Sequence, residues 1–494
     1  MTRLSLATLD RLPPAVKRFG YDRRALRTGI VHLGIGAFAR AHLADYTDDV
    51  LARDFDAWGI CGVSMRKPDV IEALAPQDGL YTIITRAGAT PQFRVVGALS
   101  DLAVLPADPR GLVARMASPD TRIVSLTVTE KGYCHDPATG LLNASHPDIA
   151  HDLSHRAEPR SAIGAVVAAL AARRAAGLGP FTVMPLDNLP SNGKVARGLT
   201  LAFASLLDES LARWIEREGA FPSTMIDRIA PATTPADLET VASALGLEDR
   251  AAVVAEPFRQ WVIEDVFAQG RPAWETAGAE ITTDVAPYEF MKLRMLNGAH
   301  SSLAYLGYLA GYETVADASG DPVLAAFLEG LWREVIPTVP PPPGVDLAAY
   351  ARALLERFRN PAIRHRTWQI AMDGSQKLPQ RLLGTIRDRL RSGAPIDHLA
   401  TGVAAWMRYV MGVDEKGDPI DVRDPLASRL RSATDAAGRD AGRIVGALLE
   451  IDAIFGDDLP ANAEFRRAVT TSLDRILRDG AKAAAKAAAK AAGR

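Results

Sequence analysis

The sequence has only two cysteines, Cys61 and Cys134, among 494 residues. Two thiols cannot build a disulfide framework or a four-thiolate zinc site, and their scarcity fits a reducing cytoplasm. An excess of one charge is also missing: 57 Lys and Arg stand against 59 Asp and Glu, a formal net charge of −2. That balance gives no general drive toward nucleic acid or an anionic membrane. Long apolar runs are lacking too. The most apolar stretch, Ala162 to Ala172, falls short of the roughly 20 residues that cross a bilayer. The opening residues reach Pro13-Pro14 without the apolar core of a secretory leader. A cytoplasmic protein with neither a nucleic-acid nor a membrane partner is expected. What is present is an ordinary globular mixture, 48% hydrophobic and 23% charged, long enough for roughly two to four domains.

Apolar, β-prone runs alternate with helical patterns through the first half, the order that yields a parallel sheet covered by helices. Expected strands are Gly29 to Leu33, Gly59 to Val63, Tyr81 to Thr85, Arg94 to Val96, Arg122 to Val128 and Phe181 to Leu186. Helical spacing marks Arg40 to Ala52, Ser161 to Ala175 and one long helix over Lys194 to Arg217. From about Pro287 the pattern turns helical: Tyr288 to Leu309, Pro322 to Val335, Leu347 to Phe358, Gln376 to Arg391, Ile396 to Val410 and Ala437 to Phe455. The proline run Pro337 to Gly344 predicts a rigid extended connector. The expected division is an α/β unit over 1–286, a mainly α-helical unit over 287–480, and an Ala/Lys-rich tail over 481–494. That tail should be helical but solvated, because alanine favours helix without supplying much of a core.

The run Ile30-Val31-His32-Leu33-Gly34-Ile35-Gly36-Ala37-Phe38-Ala39 sets a Gly-x-Gly-x-x-Ala between an apolar strand and a helix. That context points to dinucleotide binding in a Rossmann-type domain. Gly34 permits the tight turn, Gly36 lets the main chain approach a pyrophosphate, and small Ala39 allows close helix-to-strand packing, with Ala37 and Phe38 between them also expected at the cofactor. The end of the second strand reads Ser64-Met65-Arg66-Lys67-Pro68-Asp69. Asp69 would favour NAD if its loop folds back onto the ribose, whereas Arg66 and Lys67 would suit the 2′-phosphate of NADP.

In Tyr288 to His300, polar groups punctuate an apolar stretch. On an α-helix at 100° per residue, Lys292, Asn297 and His300 share one side. Reduction of a ketone by hydride needs a proton donor at the oxygen and hydrogen-bond donors for the developing alkoxide. Lys292 suits the first task, and Asn297 and His300 the second. Glu289, one turn before Lys292, is placed to pair with it or relay its proton.

Together these segments resemble the mannitol dehydrogenase family of polyol-specific long-chain dehydrogenases and reductases. The resemblance runs from about residue 28 to about 470. It rests on Ile30 to His42, Ser125 to Tyr133, Phe181 to Asn188, Ile226 to Arg228, Glu256 to Trp261, Lys292 to His300 and His365 to Arg381. It implies a Rossmann-type domain, a helical domain, a metal-free catalytic site between them, and NAD as cofactor. It also implies Lys292 as catalytic acid/base, Asn297 and Asn188 as oxyanion partners, and His300, Asp227 and Lys377 as substrate contacts. Glu130, like Glu289, is expected near the active site and beside the cofactor. Arg364 and Arg366, with Arg381, are candidate partners for an anionic substrate.

Two departures from the family pattern bear on substrate and cofactor: Ala39 replaces a usual histidine, and Gln369 replaces the arginine of polyol-oxidising members. The second favours a sugar acid. The expected activity is NAD-dependent, reversible reduction of D-fructuronate to D-mannonate, with a tagaturonate reductase or a mannitol or arabinitol 2-dehydrogenase as alternatives. A nucleotide-binding sensor without catalysis is the non-enzyme alternative, and the oligomeric state stays open. His146, His151 and His155 cluster loosely without a recognised metal pattern, and no metal is expected.

Overall fold

The structure, a computed structural model, describes every residue except 57, 87–89, 137–138 and 492–494. The chain forms two compact units, Met1–Val285 and Ala286–Arg494. No helix among the described residues is long and apolar enough to cross a membrane.

The N-terminal unit contains strands β1 (Arg27–Leu33), β2 (Trp58–Ser64), β3 (Tyr81–Thr85), β4 (Gln92–Val96), β5 (Leu99–Val104), β6 (Ile123–Leu126), β7 (Thr182–Pro185), β8 (Thr224–Asp227), β9 (Val253–Ala255), β10 (Gln260–Glu264) and β11 (Glu280–Thr282). The main sheet is parallel, in the order β5-β2-β1-β6-β7. Its central strands are mostly apolar and almost entirely buried because helices cover both faces, with His32 and Ser125 as buried polar exceptions. Tyr81 to Thr85 and Arg94 to Val96, expected in that sheet, belong instead to a small sheet ordered β4-β3-β9. A third small sheet is ordered β11-β10-β8.

Charge ties these layers together. Asp45 on the helix Leu43–Arg53 accepts from Arg94 on β4 at 2.9 Å and from Arg228 and Arg259, each at 2.7 Å. Asp45 is 4% exposed; its three guanidinium partners outweigh burial and hold its carboxyl below the usual range. The segments Ile226 to Arg228 and Glu256 to Trp261 serve this framework. Glu256 accepts from the Ile229 amide at 2.7 Å, and Trp261 is fully buried.

Two expected helices break at a polar residue with non-helical backbone geometry. Lys194 to Arg217 forms Asn192–Leu207 and Glu209–Glu218, because Asp208 is extended and its carboxylate caps Ser210. Arg40 to Ala52 forms Ala37–Ala41 and Leu43–Arg53, with His42 leaving helical geometry between them.

The C-terminal unit is helical around Gly298–Leu309, which is apolar on nearly every side and packs on Val315–Gly320, Pro322–Val335, Thr367–Ala371 and Asp397–Tyr409. Gln376 to Arg391 is interrupted by a π-helical turn at Pro379–Leu383, where proline cannot donate to the α-helical ladder. Ala437 to Phe455 divides into Ala441–Leu449 and Asp452–Phe455, and Ala427–Ala437 is a separate helix. The proline run opens with a 3₁₀ turn, Ile336–Thr338, and ends in a turn at Gly344 rather than running extended throughout.

The Ala/Lys tail corrects a further expectation. Ala481–Ala491 is a helix, but Ala481, Ala484, Ala485 and Ala488 are buried against Pro322–Val335, Asp397–Tyr409 and Ala463–Asp479. Small side chains at i, i+3 and i+4 let the backbones approach closely. Lys482 anchors the first turn by pairing with Asp321 at 2.5 Å. Residues 492–494 of the tail lie outside the described residues.

Candidate active site

Strand register builds the nucleotide site. Leu33 pairs with Val63 on one side and Leu126 on the other, so β1, β2 and β6 end level. Gly34, Ser64 and Thr127 therefore stand side by side at the carboxyl edge. The sheet order reverses between β1 and β6, the place where open α/β sheets bind ligands. A cavity of about 530 Å³ lies there, lined by Gly34, Gly36, Arg66, Lys67, Thr127 and Arg160, among others.

The glycine turn is held from below. Thr127 donates its hydroxyl to the Gly34 carbonyl at 2.6 Å. That hydroxyl must then accept from His32 Nε2–H, 2.8 Å away, leaving His32 Nδ1 to accept from Ser125 at 2.8 Å. Complete burial pushes the imidazole down to about 4, so this neutral tautomer persists at neutral pH. Gly34 has φ +101, and a Cβ there would strike the Thr127 carbonyl. Gly36 has an ordinary φ, and its nearest neighbour to a built Cβ is 3.9 Å away. The missing side chain at Gly36 leaves space that protein packing does not use, as close approach of a pyrophosphate requires.

Arg66, Lys67, Lys131 and Arg160 line this cavity, and its lining residues include no acid. The residues fit the phosphates of a dinucleotide. Beside them, Asp187 accepts from the amides of Val128 at 3.1 Å and Thr129 at 2.8 Å and from the Tyr133 hydroxyl at 2.9 Å. Burial raises its carboxyl despite these bonds. Ala37 and Phe38 follow Gly36 into the short helix. Asp69 is exposed on the helix Asp69–Leu74 and is not brought into the cavity; its neighbours Lys67 and Val70 line it instead. Glu130 is likewise exposed, between the lining residues Thr129 and Lys131. Asn188 follows Asp187 past β7, and Asp227 is buried at the end of β8.

In the C-terminal unit, Lys292–Asn297 is a π-helical turn between Ala286–Met291 and Gly298–Leu309. Its i→i+5 bonding stacks residues five apart, so Lys292 and Asn297 lie closer in angle than α-helical counting predicts. Lys292 is half-buried, Asn297 and His300 are buried, and Asn297 Nδ2 and His300 Nε2 lack a hydrogen-bond partner among the described residues. Such orphaned polar atoms are costly unless a ligand satisfies them.

His300 stacks on Phe358 at 5.0 Å and meets His365 edge-on at 5.0 Å. Burial first, then His365, Arg381, Arg357 and Lys377, hold the His300 imidazole well below its ordinary value. Burial and Lys377 push His365 down to about 4. Lys377 donates to the Met372 carbonyl at 2.6 Å, and Arg381 to Ser301 at 3.0 Å.

Arg364 and Arg366, on either side of His365, are both exposed, beside Glu313 at 4.0 and 3.5 Å. Sequence reasoning missed His365 and Arg357. Their signal was weak: Arg357 reads as an ordinary charged residue near the end of the expected helix Leu347 to Phe358, and His365 stands between two arginines without a distinguishing pattern.

Residues 28–276 match the mannitol dehydrogenase Rossmann domain, and 284–477 match the mannitol dehydrogenase C-terminal domain. The chain belongs to the mannitol dehydrogenase family. It is an oxidoreductase. D-mannonate oxidoreductase of Escherichia coli K12 is 50% identical over 473 residues, covering 94% of this chain and 97% of that protein. Mannitol dehydrogenase 2 of Saccharomyces cerevisiae is 41% identical, covering 98% and 97%. Among solved structures, the mannitol 2-dehydrogenase of Pseudomonas fluorescens in ternary complex with NAD and D-mannitol superposes with a TM-score of 0.89 at 39% identity, covering 98% of this chain and 99% of that one.

Proposed function

We propose that this oxidoreductase reversibly reduces D-fructuronate to D-mannonate with NAD as cofactor. NAD, when bound, supplies the hydride in reduction and accepts it in oxidation. Gly34, Gly36 and the cationic lining of the cavity hold its phosphates. Lys292 gives its ammonium proton to the carbonyl oxygen in reduction and takes it back in oxidation. Asn297 donates to the same oxygen, with Asn188 assigned as the second donor on family resemblance alone. His300 and Lys377 orient the substrate, and Asp227 is assigned a neighbouring role on the same resemblance.

The observation that carries the choice of a sugar acid is the charge around His300. The charged side chains that act most strongly on this buried imidazole are Arg381, Arg357 and Lys377, all cationic. A carboxylate offsets that charge, whereas a neutral polyol does not. The 50% identity to D-mannonate oxidoreductase supports the same reading. Of the three expected arginines this reading keeps Arg381, sets aside the exposed Arg364 and Arg366, and adds Arg357.

The test is a matrix of NADH oxidation rates on D-fructuronate, D-tagaturonate and D-fructose. The expected result is a kcat/KM for fructuronate at least about tenfold above that for fructose, equivalent to one charge-assisted contact of about 1.4 kcal/mol. A preference for fructose would overturn the uronate assignment, and a preference for tagaturonate would move it to the other ketouronate.

A further inference from the structure

Outside the residues assigned to hydride transfer, three different donor types converge. Cys134, His146 and Asp148 each present one ligand atom, and the three atoms lie within 4.8 Å of one another. The main chain holds the two contributing segments together: the Asn143 amide donates to the Cys134 carbonyl at 3.0 Å, and the His146 amide to the Asn143 carbonyl at 3.0 Å. His146 caps the helix Pro147–Ser154, and Asp148 lies in its first turn. Cys134 is 3% exposed, and its thiol makes a long 3.8 Å contact with the Gly132 carbonyl. His146 Nδ1 accepts a long 3.3 Å bond from the Asp148 amide. Arg66 fixes Asp148 through Oδ2 at 2.8 Å, the outer hydrogen bond that commonly orients a ligating carboxylate.

We propose that Cys134, His146 and Asp148 form a divalent-metal site that takes Zn²⁺, separate from the hydride-transfer chemistry. Thiolate, imidazole and carboxylate are the donors zinc accepts, with water as fourth ligand, and the thiol disfavours magnesium and calcium. Bonds of about 2.3 Å to sulfur and about 2.0 Å to nitrogen and oxygen set tetrahedral ligands about 3.5 Å apart. Side-chain movements of about 1 Å therefore close the set around the ion. On binding, the Cys134 thiol releases its proton to solvent and sulfur donates a lone pair to the metal. The grouping is invisible to sequence spacing. It omits His151 and His155, which stack on each other at 4.3 Å. It recruits a cysteine that no standard spacing links to them.

Cobalt(II) is the probe, because a thiolate bound to it gives a charge-transfer absorption that nitrogen and oxygen ligands do not. Chelator-treated full-length protein is titrated with Co²⁺ alone, followed by Zn²⁺. The wild type should develop the band with about one equivalent, as expected for one site, and added Zn²⁺ should bleach it. Cys134→Ser should abolish the band, and His146→Ala should weaken Co²⁺ binding at least about tenfold, with the circular dichroism of both variants unchanged. No band in the wild type, or one that survives in Cys134→Ser, overturns the site. Cys61 is fully buried in the sheet core and gives no competing signal.

Discussion

Thr127 Oγ1 donates to the Gly34 carbonyl at 2.6 Å, fastening the glycine turn after β1 to the loop after β6. The two glycines of that turn therefore answer different constraints, and their substitutions should separate. Gly34→Ala places a methyl against the Thr127 carbonyl at φ +101, and is expected to cost more than about 3 kcal/mol of stability. Gly36→Ala meets no protein atom closer than 3.9 Å. It should keep the wild-type melting temperature while weakening NADH binding by about tenfold or more. Thermal melts paired with NADH fluorescence titrations measure both. A Gly36→Ala protein that binds NADH normally would contradict the assignment of this turn.

The anion assignment makes its own prediction. Arg357→Gln and Arg381→Gln should each raise KM for fructuronate by about tenfold or more, the loss of a charge-assisted hydrogen bond. KM for fructose should change little. Arg364→Gln and Arg366→Gln, at exposed positions beside Glu313, should leave both constants near wild type. Steady-state kinetics on the four variants decides between the two arginine pairs.

Deleting residues 481–494 uncovers the helices that Ala481, Ala484, Ala485 and Ala488 pack against and removes the Lys482–Asp321 pair. Four buried methyl groups and the surface they cover amount to about 3 kcal/mol or more. A clearly lowered urea midpoint is the expected outcome. An unchanged midpoint would return the segment to the status of a solvated tail.

Burial holds His42 down to about 3, and backbone acceptance by Gln260 does not offset it. A histidine whose folded pKa is depressed contributes its full share of stability above the unfolded value near 6.5. That share is lost as pH falls from there toward the folded value. The buried carboxyls of Asp48, Asp187 and Asp249, raised by burial, act in the opposite direction at lower pH. The comparison is therefore between wild type and His42→Asn, followed by urea unfolding from pH 7 to pH 4. The wild type should lose on the order of a few kcal/mol relative to the variant over this window. Parallel curves would show that His42 is not buried as a neutral base.

Much of this was legible in the chain. The strand Gly29 to Leu33 and the Gly-x-Gly turn announced the parallel sheet, because strands buried on both faces read as largely apolar runs. Short strands such as Val253–Ala255 and Glu280–Thr282 carry too few residues for a period to emerge. The break at Asp208 was written in a capping residue that an unbroken helical reading passed over.

The π turn at Lys292–Asn297 could not be read, since one extra residue per turn leaves composition unchanged while rotating every side chain beyond it. In the tail, alanine served both as helix former and as packing surface, and propensity alone could not tell the two apart. Among the arginines, Arg364 and Arg366 proved exposed, while Arg381 from the same motif and Arg357 from the end of a neighbouring helix act on His300.

The most direct measurement is turnover by Lys292→Ala alongside its NADH affinity. If the lysine is the proton donor to the substrate oxygen, kcat for fructuronate reduction falls by about 10² to 10⁴. NADH should still bind within about threefold of wild type, a difference below 1 kcal/mol. A variant that turns over at a rate close to wild type would contradict the account.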